Sequence, residues 1–126
     1  MKFIDFGNGR VPALGFGTFD IRGADCVRAT TMALEIGYRH IDTAQEYNET
    51  EVGRAINSSA VDHCEIFLTT KIWPTRIADG EFRHTAQESL DRLATPYVDL
   101  LVIHWPSPTI PLGENLSALS AVKAAG

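Results

Sequence analysis

Cysteine is scarce in this sequence, and no spacing of likely ligands indicates a metal. The 126 residues contain two cysteines, Cys26 and Cys64, whose separation matches neither a metal-binding nor a redox motif. No arrangement of histidine, cysteine and carboxylate residues has the spacing of a zinc site either. We therefore expect no metal, and two free thiols of the kind that a reducing cytosol maintains.

Positive charge and long apolar runs are also lacking. Sixteen acidic residues outnumber eleven basic ones, for a net charge of -5, whereas nucleic-acid binders usually carry a basic stripe. No apolar run approaches the roughly 18 residues of a membrane span. The acidic segment 1–6 is also too short for a signal-peptide core. We expect a cytoplasmic protein with no nucleic-acid or membrane partner.

Strand-like and helix-like segments alternate along the rest of the chain. Extended runs at 2–6 and 10–14 flank Gly7-Asn8-Gly9, whose Asn-Gly pair predicts a hairpin because both turn positions favour positive φ. Further strands are predicted at 14–19, 38–42, 66–71 and 97–104. Strand–helix alternation requires a parallel sheet with right-handed crossovers. Either a small doubly wound sheet or part of a (β/α) barrel satisfies this pattern.

Four helices are predicted between and after these strands. The first covers 24–36, with Cys26, Ala29, Ala33 and Ile36 on one face, and Gly37 ends it. The second starts at Asn48 with a capping box to Glu51, and the nearby acids Glu46 and Glu49 are expected to serve the same N-terminus. The third starts at Asp79 and buries a regular stripe. That stripe consists of Phe82, Ala86, Ser89, Leu90 and Leu93. The last is marked by Leu112, Leu116 and Leu119.

Titratable groups stand at the ends of three predicted strands. Asp42, Lys71 and His104 end theirs, and Tyr47 follows Asp42 in the next loop. The carboxyl ends of parallel strands form one edge, where α/β folds keep their chemistry. Each residue also has a structural interpretation: a turn cap, a loop tyrosine, a solvated strand end or a core histidine. Taken together, side chains of these types at the ends of neighbouring strands are less easily explained by four separate structural roles, and the alternative is that they form one site.

These four side chains suit carbonyl chemistry. A phenol titrates near 10, and an ammonium within a few Å is expected to lower that pKa. A carboxylate would hold the ammonium, and an imidazole would orient a substrate oxygen. Such a set is a proton donor aimed at a carbonyl oxygen. Carbonyl reduction also needs a hydride, which no side chain supplies, so a nicotinamide cofactor is implied.

Glycines and tryptophans near these groups each allow two interpretations. Gly15 and Gly17 alternate in a strand, which indicates either tight sheet packing or close approach of a cofactor. The third glycine of a dinucleotide fingerprint is absent, since position 20 is Asp20. Trp73 and Trp105 follow Lys71 and His104, either as rim packing or as an aromatic wall for a small substrate.

Several segments together resemble the aldo-keto reductase family. They are 14–18 (LGFGT), 37–44 (GYRHIDTA), 51–53 (EVG), 69–73 (TTKIW), 97–101 (YVDLL) and 104–106 (HWP). They extend over almost the whole chain. The run at 103–108 (IHWPSP) is similar in particular to the bacterial branch that contains the 2,5-diketo-D-gluconate and methylglyoxal reductases.

The resemblance implies a TIM barrel that reduces aldehydes, ketones or dicarbonyls with NADPH. It implies a catalytic set of Asp42, Tyr47, Lys71 and His104, in which Tyr47 donates the proton. It places Gly17, Thr18 and Asp42 beside the nicotinamide. Residues Phe19, Trp73, His104 and Trp105 would contact the substrate.

Length and one loop depart from the family pattern. A full barrel takes about 250 residues, so we expect residues 1–126 to form one incomplete domain with the N-terminal hairpin and first four of eight β/α units. The family usually has a residue between the tyrosine and an Asn-Glu pair, whereas Tyr47 runs directly into Asn48. Displacement of the phenol by about 1 Å would be costly.

Two alternative hypotheses compete with the reductase hypothesis. A half barrel with exposed strand edges is expected to self-associate, and such a chain would be a structural or oligomerising fragment without catalysis. A phosphoacceptor receiver domain also has Asp and Lys at strand ends. That fold needs an acidic pair after its first strand, and here Thr18-Phe19-Asp20 follows instead, so we discount it.

Overall fold

Strands and helices alternate along the chain after an initial hairpin. The computed structural model describes residues 1–7, 9–76, 81–107 and 109–125. The strands are β1 (Phe3–Phe6), β2 (Gly9–Pro12), β3 (Phe16–Gly17), β4 (His40–Asp42), β5 (Phe67–Ile72) and β6 (Leu100–Ile103). The helices are α1 (Gly23–Glu35), α2 (Glu49–Asn57), α3 (Phe82–Leu93) and α4 (Leu112–Ala125). Asp79, the predicted start of α3, lies outside the described residues.

The four strands that follow the hairpin form one parallel sheet in chain order. The order is β3-β4-β5-β6, and Gly17 pairs with Asp42, which pairs in turn with Thr69. A doubly wound sheet reverses its strand order at a switch point, whereas a barrel adds strands sequentially. The sheet therefore has the barrel arrangement. The prediction of a hairpin followed by four β/α units of a (β/α)8 barrel is confirmed.

The hairpin forms where predicted, but its turn is shifted by one residue. Strands β1 and β2 pair antiparallel, and Gly9 already pairs with Phe6 in the ladder. Gly7 has φ +51, so it supplies the left-handed first turn position that a two-residue loop requires. The turn therefore starts at Gly7, not at Asn8, which itself lies outside the described residues.

Helix α1 ends at the predicted glycine. Gly37 has φ +102. Its N–H donates to Leu34 O at 3.1 Å, and Tyr38 N–H donates to Ala33 O at 2.9 Å, which is a Schellman motif. Because the chain leaves the helix at Ile36, that side chain is 72% exposed, contrary to the predicted apolar face.

The core lies between the sheet and the helices that cover one face of it. Fully buried aliphatic side chains, each stabilising by about 1.5–3 kcal/mol, dominate it. The main cluster comprises Cys26, Leu34, Ile41, Val52, Ile56, Ile66, Leu68 and Leu93. A second cluster joins Ile72, Phe82 and Ala86 of β5 and α3 to α4. The predicted stripe of α3 is buried except for half-buried Leu90, whereas Leu112 and Leu116 of α4 are exposed.

None of the helices within the described ranges has the length and apolar character to cross a membrane.

Candidate active site

Asp42 and Lys71 form an ion pair at the carboxyl edge of the sheet. Lys71 Nζ lies 2.5 Å from Asp42 Oδ1 and donates to the Thr43 carbonyl oxygen at 2.9 Å. Strands β4 and β5 are paired neighbours, and Asp42 at the end of β4 pairs with Thr69. Strand β5 continues to Ile72, one residue beyond its predicted end, so Lys71 lies two positions after Thr69 and near the same edge. The Lys71 side chain is 20% exposed, and its ammonium is therefore held in a fixed position with little contact with water.

Tyr47 and His104 meet at the same edge. The phenol oxygen lies 3.1 Å from His104 Nε2, and the two rings cross edge to face with centroids 5.4 Å apart. Lys71 Nζ lies 5.8 Å from the centre of the Tyr47 ring. The His104 backbone is fixed because its N–H donates to Ile72 O at 2.9 Å. All four residues predicted to be catalytic are thus brought together.

The short loop after Tyr47 does not remove the phenol from this cluster. The Tyr47 N–H donates to Ala44 O at 3.0 Å, which makes a tight turn between β4 and α2. The hydroxyl still reaches His104, which is 57 residues away in sequence. The shortened connection is therefore compatible with a converged site.

The environment of the site shifts two pKa values. Burial raises the pKa of the Tyr47 phenol above 10.0, and the Asp42 carboxylate raises it further. This rise in the pKa of Tyr47 is opposite to the lowering expected from Lys71, because burial disfavours the phenolate and the Asp42 carboxylate beside Lys71 adds to that effect. Burial, and then Lys71, lower the pKa of His104 below 6.5, against smaller opposite effects of Asp42 and Glu46. At neutral pH the phenol is protonated and the imidazole is neutral.

Aromatic rings surround the opening above Tyr47 and His104. The Phe19 ring lies 5.3 Å from the Tyr47 ring, and Trp73 lies 4.7 Å from His104. Trp105 stacks on His104, with 7° between the planes. Together these five residues line a cleft of about 280 Å³. The four residues predicted to contact the substrate, Phe19, Trp73, His104 and Trp105, all line this cleft.

A larger groove lies elsewhere on the molecule. It measures about 470 Å³ and runs between α3 and α4, where Leu90, Leu101 and Leu119 are among its lining residues. None of the four converged groups lines it. The smaller cleft is the better candidate site because it combines two of these groups, Tyr47 and His104, with aromatic walls.

The residues predicted to hold the cofactor lie at the edge beside Asp42. A Cβ on Gly17 would meet nothing within 4 Å, so the backbone of β3 is open there. A Cβ on Gly15 would meet His40 Nδ1 at 2.8 Å, which assigns Gly15 to sheet packing. Thr18 is fully buried, and its hydroxyl donates to Thr43 Oγ1 at 2.9 Å. The open backbone at Gly17 leaves room beside β3 for the nicotinamide ring that was predicted there.

Four polar residues of the cleft were not predicted from the sequence. They are Asp20, Arg22, Glu46 and Asn48. The first two follow β3 and the others follow β4, so the rule that strand ends carry chemistry also applied to them. Asn48 was interpreted as a helix cap instead. Its side chain makes no cap hydrogen bond in α2.

With this geometry established, the family assignment is direct. The family model described as "Aldo/keto reductase family" matches residues 13–126. The chain belongs to this family. Among curated relatives, it is 41% identical over 119 residues to "Methylglyoxal reductase DkgB" of Yersinia pestis, a match covering 92% of this chain and 45% of the relative. It is 45% identical over 103 residues to "Glycerol 2-dehydrogenase (NADP(+))" of Saccharomyces cerevisiae, covering 81% and 32%.

Solved aldo-keto reductase structures have the same fold. A putative 2,5-diketo-D-gluconic acid reductase B matches with TM-score 0.88 and 47% identity, over 92% of this chain and 42% of that one. The aldose reductase from Schistosoma japonicum matches with TM-score 0.90 and 32% identity, over 100% and 50%. The chain thus spans about half the length of these relatives or less.

Proposed function

We propose that this site reduces small aldehydes, ketones or dicarbonyls to alcohols with NADPH. The observation that carries the proposal is the 3.1 Å contact between the Tyr47 hydroxyl and His104 Nε2 at the base of an aromatic cleft. A proton donor and a hydrogen-bonding imidazole there can both reach one carbonyl oxygen. Names of relatives such as "Methylglyoxal reductase DkgB" support methylglyoxal as the first substrate to test.

Each of the four side chains has a distinct part in this proposal. Tyr47 gives its proton to the carbonyl oxygen, and its raised pKa keeps that proton in place at neutral pH. His104 stays neutral and orients the carbonyl by a hydrogen bond. Lys71 is fixed by Asp42 and the Thr43 carbonyl. It stabilises the negative charge that develops on the Tyr47 oxygen as its proton moves to the substrate.

Gly17, Thr18 and Asp42 would hold the nicotinamide end of NADPH. When bound, the cofactor supplies the hydride that adds to the carbonyl carbon. Support comes from the open face at Gly17, beside the Asp42 with which it pairs in the sheet. Thr18 would contribute through its backbone position, because its side chain is buried. The name of the yeast relative, which includes NADP(+), is in accord with this choice of cofactor.

The decisive experiment measures NADPH oxidation with methylglyoxal for the chain and for Tyr47→Phe. Loss of the proton donor should lower turnover by about 10²-fold or more. Tyr97→Phe is the matched control, since Tyr97 packs on His63 at the opposite end of the sheet, with centroids 4.8 Å apart. Retained turnover in folded Tyr47→Phe would contradict the role of Tyr47.

We also propose that the 126-residue chain self-associates through its sheet edges. Within the described ranges, β3 and β6 are the outer strands of the parallel sheet and pair on one side only. Unpaired edges favour addition of another strand. Sedimentation velocity over a range of concentrations tests this, and a monomer throughout would contradict it. This association is also what the alternative non-catalytic role would require.

A cytoplasmic location is our remaining proposal. Cys64 is an exposed free thiol, and a reducing compartment keeps such thiols reduced. Cell fractionation tests it, and recovery outside the cytoplasm would contradict it.

A further inference from the structure

Asn48 occupies the N-cap position of α2 but does not cap that helix. Its Nδ2 donates to the Ile21 carbonyl oxygen at 2.6 Å, and its Oδ1 accepts from Gly23 N at 3.3 Å. Ile21 belongs to the connection from β3 to α1 and Gly23 is the first residue of α1, both about 25 residues earlier in the chain. The amide thus joins two loops instead of satisfying its own helix.

The loop that Asn48 holds carries one wall of the cleft. Phe19 lies in this loop and contacts the ring of Tyr47, the residue adjacent to Asn48. Asp20 in the same connection has φ of 59°, and Gly23 at the start of α1 has φ of 54°. A left-handed non-glycine residue persists only when its surroundings fix it. Asn48 holds the chain just after Asp20, as donor to the Ile21 carbonyl and acceptor from Gly23 N, while Phe19 just before Asp20 contacts Tyr47.

Gln45 makes the equivalent connection on the other side of Tyr47. Its Nε2 donates to Thr85 O and to Ser89 Oγ of α3, each at 3.0 Å. Its Oε1 accepts from Trp73 N at 3.2 Å. Trp73 also lines the cleft, where it packs on His104. One amide on each side of Tyr47 therefore reaches the loop that carries an aromatic wall.

We propose that Gln45 and Asn48 are positioning residues that hold the Tyr47 phenol against His104 and set the width of the cleft. The effect of these residues on catalysis rests on the proposed function. Their effect on the contact between Tyr47 and His104 does not depend on it. It also explains how a connection one residue shorter than the family pattern keeps its phenol in place. The loop is braced on both sides to neighbouring elements, so its own length is not what fixes the ring.

The test compares Asn48→Ala with Asn57→Ala. Asn57 Nδ2 also donates to a distant backbone carbonyl, that of Ala94 at 3.3 Å, but at the far end of α2. Each variant therefore loses an amide-to-carbonyl bond between elements. The first readout is the NMR signal of the His104 imidazole and its titration, identified by its loss in His104→Gln. The second is the separate change in kcat and KM for methylglyoxal.

We expect Asn48→Ala to shift the His104 signal and move its titration towards the ordinary value, because the phenol leaves and water enters. We expect kcat to fall by about 10²-fold, the effect of a displacement of roughly 1 Å. Asn57→Ala should change neither. Identical His104 signals in the two variants would overturn the proposal, whether or not the protein turns over.

Absence of turnover in the unmodified chain would refute the proposed function. The NMR comparison would still decide whether Gln45 and Asn48 position Tyr47 against His104. If Asn48→Ala does not fold, Asn48→Asp serves instead, since it keeps the acceptor for Gly23 and loses only the donor to Ile21. Gln45→Glu is the corresponding variant on the other side, since it keeps the acceptor for Trp73 N. It should shift the same His104 signal, and an unchanged signal in both isosteric variants would overturn the inference.

Discussion

Gly53 of α2 lies directly against the backbone of Leu93 at the end of α3. A Cβ on Gly53 would be 2.8 Å from Leu93 Cα and closer still to the Leu93 carbonyl group. No side chain fits between two backbones at that separation, and backbone atoms cannot rotate away as side chains can. The absence of a side chain at Gly53 therefore allows α2 and α3 to approach as they do.

Gly53→Ala should destabilise the fold by about 3 kcal/mol, the upper part of the range for overpacking a rigid site. The free energy of unfolding in urea measures this. Gly113→Ala is the control, because a Cβ at this exposed position of α4 would meet nothing within 4 Å. Alanine there should be neutral or stabilising by up to about 1 kcal/mol, through helix propensity. Equal effects of the two substitutions would contradict the packing argument.

Removal of Arg92 should leave a buried carboxylate without its partner. Glu49 is 2% exposed, and its Oε2 accepts from Arg92 Nε at 2.7 Å while Oε1 accepts from Thr70 Oγ1 at 2.5 Å. Arg92→Met should lower the free energy of unfolding in urea by about 2–4 kcal/mol. The Glu49 carboxylate would remain buried without the opposite charge that offsets the cost of removing it from water.

Two further variants separate charge from packing at Glu49. Adding Glu49→Gln to Arg92→Met should recover part of the loss, since the amide keeps an acceptor for Thr70 and carries no charge. Arg28→Met removes an ion pair with Asp25 whose side chains are 74% and 69% exposed, and should cost below about 1 kcal/mol. A double variant as unstable as Arg92→Met would argue against a charge effect.

Gly17→Ala should weaken NADPH binding without destabilising the protein. A methyl group at this position meets no protein atom within 4 Å, but it would occupy the open face of β3 on which we place the nicotinamide. Fluorescence titration with NADPH measures the Kd, and urea unfolding checks stability. Gly15→Ala provides the contrast, because it presses on His40 inside the sheet and should lower stability. An unchanged Kd in Gly17→Ala would remove Gly17 from the cofactor site.

His104 should make stability depend on pH around neutrality. Its pKa is lowered in the folded state, by burial first and then by Lys71, so the folded protein binds fewer protons than the unfolded chain. The stabilisation is therefore full above the ordinary value of 6.5 and is lost as the pH falls through the folded pKa. Unfolding free energies of the chain and His104→Gln, compared from about pH 7.5 to about pH 5, should converge.

The control for this pH dependence is His84→Gln, since the side chain of His84 is 76% exposed. Its unfolding free energy should follow that of the unmodified chain to within about 0.5 kcal/mol across the same range, the size expected for an exposed i,i+4 pair such as that of His84 with Glu88. A constant difference between the chain and His104→Gln at every pH would contradict the lowered pKa.

Local patterns in the sequence were sufficient for the order of elements and the edge on which the chemistry lies. Gly37 ends α1 as predicted, because a left-handed residue after a helix is a local requirement. The bulky runs predicted to end at Lys71 and His104 are β5 and β6 of one parallel sheet. Lys71 pairs with Val102 and His104 directly follows β6, so both groups lie near the same edge. The position of Tyr47 near this edge was predictable in the same way, from its place in the loop that follows Asp42.

Side-chain partners distant in sequence were not predictable from these patterns. Glu49 lies in the first turn of α2 as predicted, but its carboxylate is also buried against Arg92, 43 residues later, and that contact was not predicted. Asn48 was assigned to a cap, yet its amide joins α2 to the loop before α1. Each side chain could serve its own helix or a distant partner, and only the packing of the elements shows which distant partner it meets.

The sequence by itself determined the alternation of strands and helices, because periodicity and turn residues act over a few positions. It also determined which chemical groups stand at the strand ends. The tertiary structure alone decided that the phenol of Tyr47 would meet His104, and that its pKa would rise instead of fall. Distances and burial depend on how four β/α units pack together, and Asp42 offsets the charge of Lys71 only because β4 and β5 are neighbours.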